Sequence, residues 1–178
     1  AMGYLAGAAI TTGVQNTLIG SLAGDSLTDA DYNVAVGMQA LNNDTLGSTS
    51  TAIGAFTLNN QNFTSATDSF NTAVGYSAGL SVSTGVQNTF IGGLSGDANT
   101  TASNNTAVGY NTLSATTTGA ENAALGVYSL EDNTTGASLA SFGAYALRDN
   151  TTASENSAFG KSALMLNTTG AGNTAVGK

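Results

Sequence analysis

Few side chains in this sequence could carry acid–base or nucleophilic chemistry. Eleven carboxylates stand against three basic residues, Arg148, Lys161 and Lys178, and neither His nor Cys occurs. That excludes the commonest general base, thiolate nucleophiles, disulfides and nearly every zinc site. The densest carboxylate group is Asp25, Asp29 and Asp31, with Asp44 further on. Calcium would be its chemistry, but neither a D-x-D-x-D-G loop nor a G-G-x-G-x-D repeat accompanies it. The expected role is a solvated negative surface that keeps neighbouring molecules from sticking. No catalytic residue, cofactor or metal site is expected. A net charge of −8 repels phosphate backbones, so no nucleic-acid partner is expected. No run of 18 apolar residues exists, so no membrane insertion is expected, and no export leader is visible.

What the chain does carry is a period. Glycines recur at 3, 20, 37, 54, 75, 92, 109, 126, 143, 160 and 177, spaced by 17 except for one step of 21. Positions below are counted from this glycine, G. At G−1 stand Met2, Ile19, Val36, Ile53, Val74, Ile91, Val108, Leu125, Phe142, Phe159 and Val176, all apolar. At G−2, eight of eleven residues are Ala, and at G−4, eight of ten are Asn. Leu occupies G+4 in six copies: Leu41, Leu58, Leu113, Leu130, Leu147 and Leu164. The other four have Gly there, with Leu5, Leu22, Leu80 or Leu94 close by as the expected replacement. Position G+3 is always small, and T-T-G connections close several units.

This spacing must be served by short extended segments joined by tight turns. Large and small residues alternate with period 2 before the glycine, which predicts a strand. Helical repeats need about 33 residues or more and a 3.6 period, which is absent. The chain is therefore read as all-β: one repeat domain, 1–178, forming a parallel β-solenoid of about ten 17-residue coils with one long coil at 55–75. The segments Thr12–Asp25 and Thr84–Asp97 agree at eleven of fourteen positions, which points to duplication of a block of coils. Both ends of the sequence fall in the same phase of the repeat, so the chain is read as part of a longer fibre.

The expected core is the G−1 column, from Ile19, Val36, Ile53, Val74, Ile91, Val108, Leu125, Phe142 and Phe159 to Val176, with the six G+4 leucines. One coil buries too little apolar surface to offset the ordering of 17 residues. The Ala stripe at G−2 (Ala35, Ala52, Ala73, Ala107, Ala124, Ala158 and Ala175) is therefore expected on the outside, against a second chain. The G−4 asparagines, Asn71, Asn88, Asn105 and Asn122 among them, should form an amide ladder from coil to coil. Gln61, Asn62, Phe63, Thr64 and Asp68, in the long coil, are expected to bulge as an exposed contact loop. Tyr4, Tyr76, Tyr110, Tyr128 and Tyr145 follow the glycine and should pack at the chain–chain contact. The seven N-x-T sequons, at Asn43, Asn62, Asn99, Asn104, Asn133, Asn150 and Asn167, follow from a composition rich in Asn and Thr.

The N-T-A-V-G segments at 71–75, 105–109 and 173–177 resemble the repeats of trimeric autotransporter adhesin heads and the repeat shafts of bacteriophage tail fibres. The resemblance runs through all coils, although the 17-residue coil is longer than that of the adhesin heads. It implies a left-handed β-roll, a homotrimer, and a structural or adhesive role outside the cell, at a cell surface or on a virion tail fibre. It also implies a cell-surface glycan or host receptor as partner. Two other classes compete with this one. An acyltransferase of the left-handed β-helix class relies on a six-residue period and a catalytic His, both absent here. An ice-binding β-solenoid is the alternative, invited by Thr72, Thr89 and Thr106 at G−3 but interrupted by Val34, Ala123, Ala140 and Ser157.

Overall fold

Each coil is built around a three-residue strand that ends just before its glycine, and the strands stack one rung above another. A computed structural model describes residues 1–178. The stacked strands are β1 (Thr17–Ile19), β2 (Val34–Val36), β4 (Thr51–Ile53), β6 (Thr72–Val74), β7 (Thr89–Ile91), β8 (Thr106–Val108), β9 (Ala123–Leu125), β10 (Ala140–Phe142), β11 (Ser157–Phe159) and β12 (Thr174–Val176). They form one ten-stranded sheet in sequence order, and every pairing is parallel and in phase, as in Ala35↔Ala52↔Ala73. The long coil adds a second, two-stranded sheet of β3 (Gly47–Ser48) and β5 (Thr67–Asp68). The architecture is an all-β parallel β-solenoid, as the period predicted, of about nine turns where about ten coils were expected.

The ladder does not stop at the strand ends. Of 109 backbone–backbone hydrogen bonds, 90 lie outside the strands, so the turns are stacked as regularly as the sheet. Along the axis, Gly54 N–H donates to Val36 O (2.7 Å) and Leu130 N–H to Ala146 O (3.1 Å). The repeating glycine is obligatory. Its φ lies between +127° and +145°, and at every copy but Gly177 a Cβ would fall within 3 Å of the neighbouring coil. For Gly75 or Gly126 the atoms met are the backbone of the next glycine. Further round the coil, G+2, G+4 and G−5 are left-handed, mostly without Gly, as at Tyr128 (φ 57°), Leu130 (φ 52°) and Glu121 (φ 61°). Such residues are individually costly, and the axial ladder offsets that cost rung by rung.

The structure reverses the expected faces of the strand. The G−2 column points inward: Ala35, Ala52, Ala73, Ala107, Ala124 and Ala158 are buried in a single chain, and Ala175 packs against the same core. The G−1 column points outward. Ile19, Ile53, Ile91, Leu125, Phe142, Phe159 and Val176 are exposed, Ile53 at 39%, while Val36, Val74 and Val108 are half-buried. The reason is room. The expected G+4 leucines are in the core, with Leu41, Leu58, Leu113, Leu130 and Leu147 fully buried and Leu164 partly so. They fill the interior, and only a methyl group fits opposite them.

The exceptions obey the same volume rule. Where G−2 is large, at Leu18 and Phe90, the G+4 positions on either side are glycines. A Cβ on Gly7 or Gly24 would lie 2.7 or 2.9 Å from Leu18 methyls, and one on Gly79 would lie 2.9 Å from the Phe90 ring. The core residues that replace leucine beside these glycines are thus Leu18 and Phe90. The expected substitutes sit elsewhere: Leu5 is exposed, and Leu22, Leu80 and Leu94 are half-buried.

Candidate functional site

The chain contains no enclosed cavity and no group of three acidic side chains able to hold a metal ion. The chain's other features lie on its outer surface. Its most extensive feature is the outer side of the ten-stranded sheet. The strand alternation that buries Ala at G−2 turns G−3 and G−1 outward, and the aromatic residues after the glycine lie beside them in sequence. Met38, Tyr76, Tyr110 and Val127 at G+1 are exposed. The rings Phe142 and Phe159 stack at 5.2 Å, Tyr128 and Tyr145 at 5.4 Å, and Phe56 meets Tyr76 edge-on at 5.9 Å. Across G−3, G−1 and G+1 no coil carries Asp or Glu, and the only charges are Lys161 and Lys178. The stripe is thus apolar and acid-free along its length, in a chain of charge −8.

The long coil is the second distinct region. Of the residues expected to bulge, Asn62, Thr64 and Asp68 are exposed, while Gln61 and Phe63 are buried. The inward pair pins the insertion. Asp44 is fully buried. Its Oδ1 accepts from the backbone N–H of Gly47 (3.1 Å) and Phe63 (3.0 Å), and its Oδ2 accepts from Gln61 Nε2 (2.6 Å). Gln61 also donates to Ser50 Oγ (2.8 Å) and accepts from Asn71 Nδ2 (2.8 Å). A buried carboxylate persists because these donors meet it. The apolar residues at the equivalent G+7 position of other coils, such as Leu27 and Val82, gave no hint of this network.

The asparagine ladder is present, with side chain bonding backbone rather than side chain. Asn88 N–H donates to Asn71 Oδ1 (2.9 Å), Asn105 N–H to Asn88 Oδ1 (3.0 Å) and Asn122 N–H to Asn105 Oδ1 (2.9 Å). Each Nδ2 reaches a turn carbonyl, as from Asn105 to Gly119 O (2.9 Å). A second ladder, at G+7, joins Asn150 Nδ2 to Asn133 Oδ1 (3.0 Å). Among the sequons, Asn133 and Asn150 are therefore interior; Asn99 is buried too, but its side-chain amide has no partner, whereas Asn43, Asn62 and Asn104 are exposed. Arg148 pairs with Asp149 (2.5 Å) at the surface. Half-buried Asp97 has an Oδ1 without a partner, and burial pushes its carboxyl above the usual range.

Compared with protein-family models, curated proteins and solved structures, the chain matches none.

Proposed function

We propose that this chain is a shaft or adhesive segment of a homotrimeric fibre, with left-handed coils and no catalytic activity, displayed at a cell surface or on a virion tail. The observation that carries the reading is the acid-free apolar stripe at G−1. Its neighbours are other copies of the same chain. A copy has the same rung spacing, so a parallel partner meets the stripe coil for coil, and the carboxylates of both chains stay outside the contact. The oligomer expected from the sequence is kept, but its contact moves from the Ala column to Ile19, Ile53, Ile91, Leu125, Phe142 and their equivalents. Light scattering on the purified chain tests this. Three times the 17.5 kDa chain mass is expected, and a persistent single-chain mass overturns it.

One observation favours a second reading, an ice-binding solenoid. The G−3 threonines are interrupted, but at G+9 Thr84, Thr101, Thr118, Thr135, Thr152 and Thr169 form an unbroken exposed rank over six coils. Beside it the Thr100, Thr117 and Thr134 hydroxyls donate to the next coil's carbonyl at 3.0–3.3 Å, which fixes their methyl groups in one orientation. Thermal hysteresis in solution is the expected signature of this reading, and its absence removes it.

A further inference from the structure

The G−5 ridge is polar in most coils, with Gln15, Gln87, Asn104, Glu121, Ser138 and Glu155. At two rungs it is aromatic. Tyr32 and Phe70 are each 57% exposed, and neither ring pairs with another aromatic. Both sit in left-handed backbone, at φ 59° and 50°. An exposed ring at such a corner contributes little to folding that the ridge's usual Gln or Glu would not, so its use lies outside the chain.

Their placement is not scattered. Tyr32 and Phe70 flank the single rung of Thr49, and Phe70 closes the chain's only insertion. Thr49 N–H donates to Asp31 O (3.0 Å), and Phe70 N–H donates to Thr49 Oγ1 (3.3 Å), so the three rungs are locked together. Two rungs separate the rings by roughly 9.5 Å, with half-buried Thr49 as the floor between them. The adjoining column repeats the pattern: Asp31 and Asp68 flank Ser48, which pairs with Asp68 across the small sheet. Asp31 spends one oxygen on Val14 N–H (2.7 Å). Asp68 is exposed, and the chain's single salt bridge lies elsewhere, at Arg148. The buried Asp44–Gln61 network bonds the neighbouring residues Gly47, Ser50, Phe63 and Asn71.

Flat apolar rings beside carboxylate acceptors that lack a cationic partner match the two surfaces of a pyranose. The C–H face stacks on the ring, and hydroxyl groups donate to the carboxylates. We propose that Tyr32, Thr49 and Phe70, with Asp31 and Asp68, form a binding site for a neutral saccharide about two residues long. The inference rests on the adhesive reading above and supplies its ligand class. Asp29, Asp31 and Asp68 exclude sialylated, sulfated or phosphorylated sugars by charge.

The test is titration of the purified full chain against neutral and anionic oligosaccharides on a glycan panel, followed by calorimetry on the best binder. Tyr32→Gln and Phe70→Gln install the residue type this ridge carries in other coils and spare the core. Each is expected to weaken binding about tenfold, with circular dichroism and light-scattering mass unchanged. Asp68→Asn is expected to weaken it as well. No neutral saccharide bound, binding only to anionic ones, or binding untouched by both aromatic substitutions overturns the proposal. A fall in oligomer mass with Tyr32→Gln or Phe70→Gln overturns it too, by making the ridge a self-contact. An intact trimer that binds no sugar sinks this site and leaves the fibre; a monomer that binds sugar does the reverse.

Discussion

The two sides of one strand invert the usual relation between side-chain size and burial. On the inner side Ala52 and Ala124 are dry, whereas on the outer side their neighbours Ile53 and Leu125 are 39% and 49% exposed. The interior is filled from the opposite wall by Leu41, Leu58, Leu113 and Leu130, so the strand has only a methyl group's width to give. The difference teaches that inner residues are chosen for volume, and that size at the outer positions answers to something other than the core; the proposed fibre supplies it as contact between copies.

The sharpest way to break the volume rule is at Phe90. Phe90→Ala leaves Gly79 and Gly96 facing empty space and is expected to cost about 3–5 kcal/mol in denaturant unfolding. Adding Gly96→Leu should recover a large part of it, because Leu accepts the same φ at Leu113 and Leu130. A double variant no more stable than Phe90→Ala alone breaks the rule. The converse, Ala124→Leu between Leu113 and Leu130, is expected to cost about 1–3 kcal/mol through overpacking. On the outer side the expectation changes kind. Phe142→Ser should cost the single chain only about 0.5–1.5 kcal/mol, through its lost stack on Phe159, yet lower the assembled mass at a given concentration. A smaller effect belongs to Asp97. Burial raises its folded-state pKa above 3.8, so the folded state binds a proton before the unfolded one does. Its ionised form is destabilising at neutral pH, and that penalty is relieved as pH falls through the folded pKa toward 3.8. Asp97→Asn should raise the neutral-pH unfolding midpoint and flatten this part of the profile; an unchanged profile contradicts it.

Much of the fold was legible because the coil repeats. Eleven glycines fixed the phase, and phase gave strand positions, register and the amide ladder through Asn71, Asn88 and Asn105. The Leu column was legible too, since nothing but a core tolerates Leu at Leu41, Leu58, Leu113, Leu130 and Leu147. The facing of the strand was not, because period 2 says which residues share a side and not which side is inside. The missing signal was present in Leu18 beside Gly7 and Gly24, and in Phe90 beside Gly79 and Gly96. Large against absent side chains marks two columns that touch. The long coil was half legible. Its extra residues showed as a changed spacing, but Gln61 and Phe63 turn inward because of Asp44, a partner one coil away that no local pattern reveals.

The claim that copies meet through the outer column can be tested directly, because the chain has no cysteine of its own. Ile91→Cys places a thiol on that column, and Thr118→Cys places one on the exposed threonine rank. Under mild oxidation at dilute concentration, Ile91→Cys should give chains covalently linked in pairs while Thr118→Cys stays unlinked. Linkage through Thr118→Cys alone, or through neither, contradicts the account.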